Sequence, residues 1–243
     1  MKRLGSITAM GICIIFILTG CGLNKEQQRA LEVAQIAYDE EQKALEAAQI
    51  AYDEEQRAFE VAKVAYGELC AAADLTRPVM SSVYSAWSFG IHNASNSTTS
   101  NILTNLARET NLTAGELQAG VKSLAESMGS AESTILSTMT SASRDISNWQ
   151  WCLFVLEEAY VVNGTFDTIQ EHIDAANAAL RAMTADYDDY KHFPNLKDFY
   201  SLVLSYAEFA QSPTGSFNQL VDTKNDYENS IRRLRNDLGF VFD

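Results

Sequence analysis

Residues 30–42 read ALEVAQIAYDEEQ, residues 44–56 read ALEAAQIAYDEEQ, and residues 58–68 read AFEVAKVAYGE. The units recur every 14 residues, two heptads, so they make a helical array and not a string of globular repeats. Leu31, Tyr38, Leu45, Tyr52, Phe59 and Tyr66 form one lane seven residues apart. Ala30, Ala37, Ala44, Ala51, Ala58 and Ala65 run beside it. A third lane is Ala34, Glu41, Ala48, Glu55, Ala62 and Leu69, in which two carboxylates interrupt the apolar pattern. An apolar period of seven keeps one seam facing a partner when the helix supercoils left-handedly. Alanine lets two helices approach closely, and the Leu/Tyr lane supplies contact area. Glu32, Asp39, Glu46, Asp53 and Glu60 lie on the opposite face. An isolated helix of this kind is marginal in water. The pattern therefore calls for a partner, either a second copy or the C-terminal helices. Straight, about 45 residues reach about 68 Å at 1.5 Å per residue, a length suited to a spacer.

Downstream of Cys70 the composition changes. Thr76-Arg77-Pro78 reads as a helix start, with Thr76 as cap, and Val79, Val83, Trp87 and Ile91 then share a face. Residues 93–100 read as a loop. A short helix is expected over Ile102–Glu109. Thr113 and Glu116 have capping-box spacing and open another helix to about Met128. Met139, Ala142, Ile146, Trp149, Leu153, Leu156 and Tyr160 predict one long helix from Ala131 to Val162. Asn163-Gly164 ends it, with Thr165 as the next cap. Ile169, Ile173, Ala176, Leu180, Met183, Tyr187 and Tyr190 mark the following helix, which Phe193-Pro194 breaks. Leu196, Phe199, Val203, Ala207 and Ala210 mark another. Ser212-Pro213-Thr214-Gly215 is a turn, and Ser216 caps a last helix through Ile231, Leu234 and Leu238. These are amphipathic helices with short connections, the pattern of a bundle.

Upstream, Lys2 and Arg3 precede an apolar run from Ile7 to Leu18, which ends at Leu18-Thr19-Gly20-Cys21. The run is too short and too diluted for a span of about 20 apolar residues, and the order is that of a signal peptide. Leu18-Thr19-Gly20-Cys21 resembles the lipobox of bacterial lipoproteins. That resemblance implies diacylglycerol on the Cys21 thiol, cleavage before Cys21, and anchorage at the extracytoplasmic face of a cell membrane or outer envelope. Two acyl chains anchor stably where one does not. Tyr84-Ser85-Ala86-Trp87 and Gly215-Ser216-Phe217 are loosely similar to stretches of helical bacterial lipoproteins, and carry no activity with them.

Charge and motif content narrow the function. The 243 residues hold 18 Lys and Arg against 32 Asp and Glu. Losing Lys2 and Arg3 with the signal peptide takes the formal net charge from −14 to −16. That balance argues against nucleic acid, whose phosphates need a basic stripe. Of four cysteines, Cys13 leaves with the signal peptide and Cys21 is acylated. Cys70 and Cys152 remain, as a possible disulfide or as two separate buried thiols. His92, His172 and His192 lack a histidine or cysteine at i+3 or i+4, the spacing a helix-borne metal site wants. Asp186, Asp188 and Asp189 cluster without the ligand spacing of a calcium loop. A Gly-x-Ser-x-Gly elbow and a glycine-rich phosphate loop are both missing. Glu157 and Glu158 are sequential on a helix, a poor geometry for an acid/base pair flanking a substrate. Trp87, Trp149 and Trp151 with Tyr84 read first as core and second as the lining of a ligand pocket.

The fold expected is all-α: a long heptad-repeat helix, stalk or coiled coil, followed by an amphipathic helical bundle. The expected divisions are residues 1–20 (signal peptide), 21–70 (lipidated start and heptad helix) and 71–243 (bundle). The function expected is non-enzymatic, an interaction or spacer lipoprotein without cofactor or metal. Its partners would be the membrane, through the acyl chains, and a second copy or another protein, through the heptad helix. The alternative is a small-ligand binder with a pocket between bundle helices.

Overall fold

In the computed structural model, which describes residues 25–141 and 150–242, every regular element is helical. The α-helices are α1 (Lys25–His92), α2 (Ile102–Glu109), α3 (Ala114–Met128), α4 (Glu132–Thr140), α5 (Gln150–Val162), α6 (Thr165–Asp186), α7 (Phe193–Gln211) and α8 (Phe217–Phe242), with a 3₁₀ turn at Ala94–Asn96. The chain is thus all-α, a long heptad-repeat helix followed by an amphipathic bundle. The chain divides into two units with the boundary between Gln56 and Arg57, so the third repeat lies in the same unit as the bundle.

Local chemistry sets several helix ends. Thr113 and Glu116 form a reciprocal capping box at the start of α3, and Gly129 closes that helix in the left-handed conformation at φ 60°. Ser216 and Gln219 make the same exchange at the start of α8: the Ser216 N–H donates to Gln219 Oε1 at 2.7 Å, and the Gln219 N–H to Ser216 Oγ at 3.3 Å. Before α6 the cap differs from expectation. Gly164 is the N-cap residue, at φ 76°. The Asn163 side chain, not Thr165, accepts the free N–H: Thr165 donates to Asn163 Oδ1 from its backbone (3.1 Å) and its hydroxyl (2.7 Å).

Two expected boundaries are corrected. Thr76 and Pro78 start no helix, because α1 runs through both. Thr76 is fully buried, and its hydroxyl donates back to the Ala72 carbonyl at 2.8 Å. An interior proline costs about 3 kcal/mol. Val79, Met80 and Val83, all buried here, return about 1.5–3 kcal/mol each, so the helix continues. The single helix expected from Ala131 to Val162 is instead α4 and α5. Ser137, Thr138, Thr140 and Ser141 each turn a hydroxyl onto a carbonyl three or four residues back at the end of α4. Such bonds compete with the helical ladder. Ala142, Ile146 and Trp149 lie outside the described residues.

Within the bundle, α8 runs antiparallel along α1. Phe217 stacks on Tyr84 (5.3 Å between centroids) and meets Trp87 (6.2 Å), and Phe242 at the other end meets Phe59 (5.6 Å) and Tyr66 (5.3 Å). On the other side α3 and α5 cross at Gly120. A Cβ there would stand 3.0 Å from the Ala159 Cβ and 2.8 Å from its amide nitrogen, and would run into the Val155 carbonyl. Backbone would have to move to admit it. Gly120→Ala should therefore lower stability by about 1–3 kcal/mol despite alanine's better helix propensity. Urea unfolding of the two proteins checks this, and an equal or higher midpoint for the variant contradicts the close crossing.

Candidate interaction surface

The three lanes of the repeat meet two different environments. In the third unit, within the bundle, they form a buried seam. Ala58, Ala62, Ala65, Tyr66 and Leu69 are 3, 0, 0, 5 and 0 % exposed, and Phe59 is half-buried against them. The small alanines line the core beside it. Tyr66 packs on Phe199 (6.2 Å) and Phe242, and its hydroxyl donates to the Arg235 carbonyl at 3.2 Å. The flanks are charged. Arg235 Nη1 donates to Asp74 Oδ1 at 2.7 Å, which holds the guanidinium above its ordinary pKa. His172 Nδ1, on α6, lies 2.6 Å from Glu68 Oε2.

In the first two units the same positions face outward. Ala30, Ala34, Ala37, Ala44, Ala48 and Ala51 are exposed, as are Leu45 and Tyr52, while Leu31 and Tyr38 are half-exposed. Val33, Ile36 and Ile50 add exposed apolar area alongside. Where the third unit has Leu69, these two carry Glu41 and Glu55, also exposed. Gln35→Asp39 and Gln49→Asp53 side-chain bonds, both 2.8 Å and each spanning one turn, recur one repeat apart on the far side. Residues 25–56 hold nine carboxylates against Lys25, Arg29 and Lys43. This stretch is an apolar seam with an acidic rim.

The other sequence candidates do not converge. Cys21 lies outside the described residues. Cys152 is a free thiol, so it makes no bridge to Cys70, which is buried too; burial pushes the Cys152 thiol up to about 12. His92 is exposed at the end of α1. His192 sits among Tyr190, Phe242 and Lys191, where burial and the lysine charge lower its pKa. Among the described residues no three His, Cys, Asp or Glu side chains could share a metal ion, and no helix is long and apolar enough to cross a membrane. Trp87 is buried in the core, Trp151 meets Phe154 edge-on, and Trp149 lies outside the described residues. A cleft of about 250 Å³, its open mouth included, is lined by Val83, Leu156, Glu157, Tyr160, Phe166 and Pro213 among others, and not by Trp87. Most of that volume is open mouth; the space within is about 20 Å³, room for about one water and far short of a ligand pocket. Tyr160 Oη is buried with no partner in hydrogen-bond geometry. Ser82 is the side chain that faces it, and its Oγ accepts from the Asn111 N–H at 3.0 Å.

Comparison with protein-family models, with curated proteins and with solved structures finds no match to this chain.

Of the two sequential carboxylates, Glu158 accepts from the Ser123 hydroxyl at 2.7 Å. Glu157 is exposed at the rim of the cleft, and partial desolvation of its carboxyl, followed by the Glu158 charge, raises its pKa above the ordinary 4.5. A carboxyl with a raised folded-state pKa is most favourable when protonated, and stability falls as pH rises from the unfolded value through the folded one. Glu157→Gln should therefore raise the melting temperature at pH 7, and the gain should vanish below pH about 4. Thermal unfolding across that range checks the sign; a gain that grows on acidification contradicts it.

Proposed function

We propose that the chain is a lipid-anchored extracytoplasmic protein that acts without catalysis. It holds a helical bundle and an adhesive helical seam at an envelope surface. The single observation that carries this reading is the seam itself. One repeat of three buries Ala58, Ala62, Ala65 and Tyr66, the tyrosine against Phe242 of α8, and two further copies present the matching positions to solvent. Exposed apolar stripes of that regularity mark interaction sites. Residues 25–56 as a straight helix extend about 48 Å at 1.5 Å per residue, which suits a spacer. The anchor rests on Leu18-Thr19-Gly20-Cys21 after the basic and apolar start, and two or more acyl chains on one cysteine suffice for stable attachment.

Labelling and crosslinking test the two halves separately. Radiolabelled palmitate should enter the wild-type product and not a Cys21→Ser variant; equal labelling of both overturns the anchor. In intact cells, a photocrosslinking amino acid at Ala51, on the seam, should give a discrete adduct of higher mass. The same group at Asp53, turned about 200° around the helix, should give none. Absence of any adduct from Ala51, or equal adducts from both positions, overturns the interaction role.

A further inference from the structure

We propose that the exposed seam of residues 30–56 is built to receive a cationic amphipathic helix, with arginine or lysine flanking an aromatic–aliphatic stripe. This rests on the reading of the seam as an interaction surface and names the chemistry of its occupant. The third repeat shows how such a seam is covered. Its cover, the C-terminal half of α8, carries Arg232, Arg233 and Arg235 before Leu238 and Phe242. Phe242 meets Phe59 and Tyr66 on the seam. Arg235 reaches Asp74 on one flank, and His172 reaches Glu68 on the other. Shifted by the repeat period, Glu68 corresponds to Glu54 and Glu40, and Asp74 to Glu60 and Glu46. The flanks that need a basic partner in the bundle are thus present, with the same charge, beside the open seam.

The seam departs from the buried copy at two lane positions, leucine for Phe59, which stays apolar, and a carboxylate for Leu69. Leu69, fully buried, is replaced by Glu41 and Glu55. A covering helix that brings no cation to those carboxylates would desolvate them unpaired, which is strongly unfavourable. A second copy is poorly matched to the task. It brings nine carboxylates and three cations of its own over residues 25–56, and a parallel in-register pair sets Glu41 and Glu55 against their own counterparts. Like-charge juxtaposition across an interface costs several kcal/mol. An arginine-bearing helix satisfies both carboxylates and keeps the alanine lanes in close contact.

A peptide of residues 229–242, the segment that covers the third repeat, is the probe. Titrated into the full chain, it should bind saturably, with up to two peptides per chain. Raising NaCl from about 0.05 to about 0.5 M should weaken it about tenfold, since opposed surface charges are screened over that range. Glu41→Gln with Glu55→Gln should weaken it by a similar factor, while circular dichroism shows the helix retained. Leu45→Asp should abolish binding. A peptide with all three arginines replaced by glutamine should bind at least tenfold more weakly. Equal binding of the two peptides, or no saturable binding below about 1 mM, overturns the proposal. So does sedimentation showing that the chain dimerises through a Leu45-dependent contact that excludes the peptide; the occupant is then a second copy. In that last case the Ala51 adduct persists, so the interaction role survives while the cationic occupant does not.

Discussion

Small side chains along one face of α1 are the constraint on which its seam depends. Ala58, Ala62, Ala65, Ala72 and Ala73 are all essentially buried on α1, and a larger side chain at any of them would have to displace the core around it. Beside them Tyr66 touches both Phe199 and Phe242 and reaches the Arg235 backbone. Each aromatic pair adds about 0.5–1.5 kcal/mol beyond the area it buries. The antiparallel course of α8 follows from the two ends of this line, Phe217 on Tyr84 and Phe242 on Phe59. Gly120 performs the same service between α3 and α5. The core is thus organised by where backbones can touch, and the large side chains fill what remains.

The repeat separates local sequence from tertiary environment. Three units share their alanines, their tyrosine and their helical conformation, and only one is buried. The difference lies at a few positions. Leu69 gains about 1.5–3 kcal/mol from full burial, whereas a carboxylate in its place would be desolvated. Phe59 replaces the leucines of the earlier units and finds Phe242. Burial of a heptad seam is therefore set by what the chain brings to it and by the one lane residue that accepts or refuses a dry neighbour.

That division also explains what the sequence made legible. Most features fixed within four residues were read correctly: the Thr113–Glu116 box, the helix over Ile102–Glu109, the glycine at 164 and the Ser216 start of α8; the Thr165 cap was not, because Asn163 takes that role. Errors fell where distant packing or diffuse local competition decided. Pro78 looked like a beginning because its penalty is local, while the burial that outweighs it comes from elsewhere in the bundle. The end of α4 arises from four hydroxyls turned onto their own helix, a signal spread over Ser and Thr residues that an apolar period ignores. The seam lanes were visible in the primary structure. The cover over the third repeat was not, since Phe242 and Arg235 lie more than 160 residues from their partners Tyr66 and Asp74. The possible Cys70–Cys152 link could not be judged from spacing, and the structure has Cys152 as a free thiol.

The two exposed units are near-duplicates in tandem, differing only at Val33 and Ala47 over residues 30–42 and 44–56. Tandem copies this alike invite slippage during replication, and each event would add or remove a whole 14-residue block. Such a change advances the helix by about 21 Å and returns every side chain to its former heptad lane. The α8 cover over the third repeat would not feel it. The gene can therefore retune the length of the helix and the number of open seams in fixed steps, while the folded bundle stays indifferent to the count.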